Sequence, residues 1–274
     1  MTVWQALFLG IVQGATEFLP VSSSGHLVLL PWLLGWSQAG DGNLAFDALV
    51  HWGTLLSVLI YFRDDIRRIV LAWWGDLRRR RVATSPESKL GWLLVVGSVP
   101  AALAGLLLED WFESLFANPP AAGLALLVTA SILVVAERVG SRSKGIGDAG
   151  WRDAVCIGLA QAVAIVPGIS RSGATMSAGL LTGMQRDEAA RFSFLLSVPV
   201  IAGAGAIQLV RVILEGGLSG QVGGLLAGFF GAGVVGYAAI HALLAFVRRR
   251  PLYLFAGYCA LLGLFSVGWY ALVR

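Results

Sequence analysis

Phe18-Leu19-Pro20-Val21-Ser22-Ser23-Ser24-Gly25-His26 breaks an apolar stretch that runs over 3–35. Pro167-Gly168-Ile169-Ser170-Arg171-Ser172-Gly173-Ala174-Thr175 breaks another over 153–184. Each reads as a half-helix, a polar turn and a second half-helix, because proline and glycine end helices while serine caps them. Around them the chain is too apolar for water. Of its 274 residues 57% are apolar and 13% charged, against about 25% charged in soluble domains, and the mean hydropathy is +0.77. Disorder, a coiled coil and a cytosolic enzyme are excluded. Non-helical backbone at membrane depth survives only when buried in protein or lining a wet cavity. Both broken stretches are therefore expected to be re-entrant hairpins; full spans kinked at proline are the alternative.

Six further stretches are long and apolar enough to cross the roughly 30 Å hydrocarbon core: 44–62, 91–108, 121–137, 192–211, 223–247 and 252–272. Of the 20 basic residues 18 are arginine, and most fall in short runs between these spans. Residues 63–89 hold eight Arg/Lys, 138–152 hold four, and Arg248, Arg249 and Arg250 follow the fifth span. Loop 109–120 has none, but carries Glu109, Asp110 and Glu113. The positive-inside rule places the first three loops in the cytoplasm and 109–120 outside. The net charge of +4 is thus a topology signal, and no nucleic acid is expected as a partner. The N-terminus has no basic run, and Glu17 interrupts the first apolar segment, so no cleavable signal peptide is expected. Cys156 and Cys259 lie in apolar segments and are expected to pack rather than to form a disulfide or bind metal.

The two broken stretches resemble each other. Gly10-Ile11-Val12-Gln13 matches Gly158-Leu159-Ala160-Gln161 at a spacing of 148, and the serine and glycine positions of the two turns keep that spacing. The order hairpin, span, span, span occurs twice. Three spans between the copies would invert the second. The expected fold is an all-α polytopic membrane protein: six transmembrane helices plus two re-entrant helical hairpins in an inverted-topology repeat. It forms a single domain over 1–274, with one repeat in 1–140 and the other in 150–274. Such repeats place a shared site where the broken helices meet.

Glu17 and Arg171 are the ionisable residues expected at membrane depth, one in each broken stretch, with His26 beside the first turn. A charge at the bilayer centre costs about 2.5–3.5 kcal/mol on insertion scales. A structural Glu17–Arg171 ion pair is one reading of this cost, and a functional site is the other. The serine-rich turns present hydroxyls and free amides at helix N-termini, which suit an anion such as phosphate as well as ordinary capping. Arg171 adds a fork that can grip phosphate oxygens. Ser22, Ser24, Ser170, Ser172 and Thr175 are the expected binders. Glu17, His26 and a serine of the first turn are the expected proton carriers and nucleophile. His51, near the outer end of the first span, either lines the mouth of the site or packs. His241 reads as packing or interfacial.

Gln13 to His26 resembles the first motif of the bacterial undecaprenyl-diphosphate phosphatases of the bacitracin-resistance type. Pro167 to Thr175 resembles their second, and Phe192-Ser193-Phe194-Leu195-Leu196-Ser197-Val198-Pro199 the segment that follows. The likeness covers almost the whole chain in order. It implies a bacterial inner-membrane enzyme that hydrolyses undecaprenyl diphosphate to undecaprenyl phosphate and inorganic phosphate. That reaction recycles the lipid carrier for peptidoglycan synthesis and gives bacitracin resistance. It also implies catalytic roles for Glu17, Ser23, His26 and Arg171, with Ser22 as the other member of the serine pair. Activity supported by a divalent cation, Mg²⁺ or Ca²⁺, is implied too. Many members have glutamate where this chain has Gln13. Glutamine bears no charge, so Gln13 serves to orient or hydrogen-bond. The expected partners are the polyprenyl diphosphate, membrane lipids and, in a homodimer, a second copy of the chain. The diphosphate is expected to enter from the outer face. Ser23 is either a nucleophile activated by His26 or a phosphate donor while water attacks. A flippase for the lipid carrier is the competing class, since transporters share this architecture.

Overall fold

The computed structural model describes residues 1–36, 44–116, 118–214 and 222–273, without the side chains of residues 44, 109, 110, 113 and 273. Among these residues the regular structure is helical: α1 (Val3–Phe18), α2 (Ser23–Leu33), α3 (Leu44–Tyr61), α4 (Arg63–Arg78), α5 (Pro86–Leu107), α6 (Glu109–Phe116), α7 (Pro119–Val139), α8 (Trp151–Val163), α9 (Arg171–Leu181), α10 (Arg186–Leu214), α11 (Val222–Val247) and α12 (Tyr253–Val273), with a short 3₁₀ turn at Ile146–Asp148. Five of them, α5, α7, α10, α11 and α12, are each long and apolar enough to cross a membrane. The sixth candidate is α3, which meets α4 at a bend of 83°.

The four arms of the broken stretches are shorter. At 1.5 Å per residue, α1 measures about 24 Å, α8 about 20 Å, and α2 and α9 about 17 Å each. None matches the hydrocarbon thickness. Within each pair the second arm contacts the first, as a hairpin requires.

Helix ends depart from the expected limits for local reasons. The fifth helix starts at Pro86 instead of 91, because Ser85 caps it through the Ser88 amide and proline sits in its first turn. The tenth begins at Arg186 instead of 192; Asp187 and Glu188 in its first turn complement the helix dipole beyond the apolar part. Residues 63–89 and 109–120 are not simple loops, since α4 and α6 occupy most of them. The side chains of Glu109, Asp110 and Glu113, which support the outward reading of 109–120, lie outside the described residues. Cys259 is buried as expected, but Cys156 is exposed on α8 and is not a packing residue.

Ion pairs gather the basic segments at one end. Glu137 at the end of α7 accepts from Arg186 Nη2 at 2.7 Å, Arg142 Nη2 at 2.9 Å and the Leu252 amide at 2.9 Å. Arg191 reaches Asp65 at 2.8 Å, and Arg248 lies 3.5 Å from Asp187. The segments that follow α3, α7 and α11 therefore share one face.

Packing is reciprocal between the two halves. The first arm of hairpin one, α1, lies along α11; the first arm of hairpin two, α8, lies along α5. Small residues allow the approach. A Cβ on Gly14 would stand 2.5 Å from the Ala232 carbonyl oxygen, and one on Gly158 2.5 Å from that of Gly97. Reciprocity fails at one seam. Whereas α3 packs along α11, α10 meets α5 over a much shorter stretch. A cavity opens there.

Candidate active site

The two turns abut. A Cβ on Gly25 would lie 3.1 Å from Gly168 Cα, and one on Gly173 3.4 Å from Pro20 Cβ. Ser172 Oγ donates to the Leu19 carbonyl at 3.0 Å, bonding one turn to the other. Both second arms are capped alike. Ser22 Oγ accepts from the Gly25 amide at 3.2 Å, and Ser170 Oγ from the Gly173 amide at 3.0 Å. The helices thus begin at Ser23 and Arg171, so the polar residues lie within their first turns and not ahead of them. First-turn amides have no intrahelical partner and point out of the helix end, where they favour negative charge.

The second turn is held by Thr129 on α7, whose Oγ1 donates to the Gly168 carbonyl at 2.9 Å and accepts from the Ser170 amide at 3.0 Å. Gly168 has φ +93°, and a Cβ there would collide with the Ala122 carbonyl. In the first turn Ser22 itself takes φ +70°, a conformation that costs a non-glycine residue about 1–3 kcal/mol. The Ser22 carbonyl accepts from His26 Nδ1 at 2.7 Å. Nδ1 must therefore carry a proton.

At the junction Glu17 is a hub. Arg171 Nη2 donates to Oε1 at 2.7 Å; Ser23 Oγ donates to Oε2 at 2.5 Å, and Gln13 Nε2 to the same oxygen at 3.0 Å. The Glu17 side chain is 5% exposed and that of Arg171 17%. A hydroxyl held on a carboxylate that two further groups orient is an arrangement that can activate a nucleophile.

These residues face a cavity of about 470 Å³. Glu17, Ser22, Ser23, Ser24, Ser170, Arg171, His51 and Gln161 line its polar end. Ala101 and Leu106 of α5, Phe116 of α6, Ile165 after α8, and Val200 and Ile207 of α10 are among its apolar lining residues, and Gln208 and Arg211 of α10 line it as well. The cavity is amphipathic, as a charged head on a hydrocarbon chain requires.

Other candidates from the sequence lie elsewhere. His26 is absent from the cavity wall. Its Nε2 is 2.6 Å from Tyr258 Oη on α12, so both ring nitrogens are engaged away from the cavity. It therefore does not touch Ser23 and is placed to hold the first turn. Thr175 Oγ1 bonds the Arg171 carbonyl at 2.7 Å and Ser193 Oγ at 2.6 Å, and Ser172 is spent on Leu19; neither lines the cavity. Gln13 stands behind Glu17, fully buried. His241 lies 3.4 Å from Tyr61 Oη and does not line the cavity. Gln161 was not among the expected site residues, although its match to Gln13 across the repeat was the signal for it.

Residues 6–265 match the family model of the bacitracin resistance protein BacA. Proteins named undecaprenyl-diphosphatase are close relatives. That of Rubrobacter xylanophilus is 48% identical over 254 residues, covering 93% of both chains. That of Moorella thermoacetica is 45% identical over 275 residues, the full length of both. That of Thermomicrobium roseum is 44% identical over 271 residues, 96% of both. The broken helices, the Glu17–Arg171 junction and this likeness along the whole chain agree: the protein belongs to the BacA bacitracin resistance family.

Proposed function

We propose that this protein hydrolyses undecaprenyl diphosphate to undecaprenyl phosphate and inorganic phosphate in a bacterial inner membrane, returning the lipid carrier to cell-wall synthesis. The observation that carries this reading is the Ser23–Glu17–Arg171 junction at the polar end of an amphipathic cavity. Arg171 and the first-turn amides of α2 and α9 hold the diphosphate, while the apolar walls from α5 and α10 receive the start of the isoprenoid chain.

Ser23 Oγ attacks the terminal phosphorus and passes its proton to Glu17 Oε2. The bond from that phosphorus to the bridging oxygen breaks, and undecaprenyl phosphate leaves as an anion stabilised by Arg171. Water then attacks the phosphoserine, the P–Oγ bond breaks, and Glu17 returns its proton to Ser23. The water proton leaves with the inorganic phosphate. Ser23 Oγ is hydrogen-bonded to Glu17 while His26 is bonded to Ser22 and Tyr258, which supports Glu17 rather than His26 as the base.

A divalent cation fits only as an ion shared with the substrate. Among the described residues no cluster of three or more His, Cys, Asp or Glu could hold one. Gln13 Oε1 is buried without a protein partner, but Gln13 lies behind Glu17 and does not line the cavity. Glu17 and the diphosphate oxygens would hold the ion, which would neutralise phosphate charge when bound.

The cavity reaches Leu106 and Phe116, at the end opposite the ion-paired basic segments, which supports an opening to the outer face. The same reasoning supports inversion of the second repeat. In a Cys156→Ser, Cys259→Ser background, single cysteines in 109–120 should react with an impermeant thiol reagent added to intact cells, and those in 138–152 should not. Labelling of both from one side would overturn the orientation.

Phosphate release by purified protein in detergent tests the activity itself. No compartments exist there, so a flippase would release none. Acid-quenched turnover should trap phosphate on Ser23; its absence during steady turnover would return the attack to water.

A further inference from the structure

Gln161 lines the cavity from α8, is 2% exposed, and has neither amide atom within hydrogen-bonding reach of a protein group. A buried amide left unpaired on both sides is destabilising. Buried polar groups of this kind are rare unless a bound species completes them. Its repeat counterpart, Gln13, spends Nε2 on Glu17. The position of Glu17 corresponds across the same spacing to Ile165, which has no acceptor to offer. Gln161 therefore faces a cavity wall that it shares with Ser170 and Arg171, and Arg171 Nη1 is likewise buried without a protein partner.

Resting on the phosphatase reading above, we infer that Gln161 is a substrate-binding residue: Nε2 donates to a phosphate oxygen of the diphosphate, and Oε1 accepts from the water that later cleaves the phosphoserine. The three unpartnered atoms, Nε2, Oε1 and Arg171 Nη1, then form one donor–donor–acceptor set. Such a set suits an anion with a water beside it. Arg171 supplies charge; the neutral amide adds orientation without drawing Glu17 away from Ser23.

The test exploits a conflict between stability and function. Gln161→Met keeps the length and removes both polar atoms. In the absence of ligand it should melt at the same temperature as the parent or higher, because the unpaired amide is gone. Its KM for farnesyl diphosphate should rise at least about tenfold, as expected for loss of one hydrogen bond to a charged group, and kcat should fall as well. The thermal shift given by farnesyl methylenediphosphonate, a non-hydrolysable probe, should shrink accordingly. Gln161→Glu keeps the shape but opposes the anion, so its KM should rise further. It also stands in should the methionine variant fail to fold. A merely structural glutamine would lower the melting temperature when replaced and leave KM unchanged, and that result overturns the inference alone. Absence of phosphate release by the parent protein would instead overturn the phosphatase reading and the inference with it.

Discussion

The two hairpins are built on one plan and equipped for opposite tasks. Ser22 and Ser170 cap them through the same side-chain hydrogen bond, and Ser24 and Ser172 approach those caps at 3.3 and 3.2 Å. The next helical position then differs: Ser23 in one, Arg171 in the other. The first hairpin holds the carboxylate and the hydroxyl, and the second the guanidinium. On the proposed mechanism, neither half both holds an oxyanion and activates a nucleophile by itself. The comparison teaches that duplicating a helix N-terminus makes a general anion cradle, whereas the reaction depends on the few positions where the copies diverge.

Replacing the divergent residues should have the largest effects. Ser23→Ala removes the attacking oxygen and should leave no turnover above background. Residual activity of a few per cent, as after loss of a single hydrogen bond, would make the two serine turns equivalent binders and would break the contrast.

Arg171→Ala leaves Glu17 buried without its counter-ion. Breaking a buried pair in this way costs about 3–5 kcal/mol of stability, and loss of the donor that stabilises the developing phosphate charge should lower kcat/KM roughly 10²- to 10³-fold. Arg171→Lys should recover little, because lysine keeps the charge but lacks the planar fork. Near-normal turnover in folded Arg171→Ala would remove the second hairpin from the chemistry.

The turns should also differ mechanically. Gly168→Ala puts a side chain at φ +93° and against the Ala122 carbonyl. The strain alone is worth about 1–2 kcal/mol, and the clash adds to it. At the first turn Gly25→Ala brings a Cβ to 3.1 Å from Gly168 Cα, at an ordinary φ. Melting in detergent should show a loss several times larger for Gly168→Ala. Equal losses would show that the turns are interchangeable scaffolds.

His26→Ala should have a smaller effect on rate. It frees the Ser22 carbonyl and Tyr258 Oη, and a lost buried partner costs about 1–3 kcal/mol. Part of this should appear in stability and about tenfold in kcat. The pH profile should keep its shape, because the imidazole does not face the cavity. Loss of one limb of that profile would make His26 a proton carrier after all.

Much of this molecule was legible in the chain. Apolar length and sparse charge dictate a membrane protein, since no soluble fold hides so much apolar surface. Proline, glycine and serine at two places 148 residues apart dictate broken helices, because backbone chemistry is local. Glu17 and Arg171 stood out because charge at depth is costly. The direction in which each polar side chain faces was not legible. His26 turns toward Tyr258, 232 residues away, and Thr175 toward Ser193 on the next long helix. Such partners are set by which helices pack together, and the sequence around a turn does not contain that information. The cavity likewise exists because α10 parts from α5 while α3 stays against α11. Hydropathy makes both seams equally apolar; only the packed structure decides which of them opens, and so brings Gln161, Arg171 and Ser23 to one space.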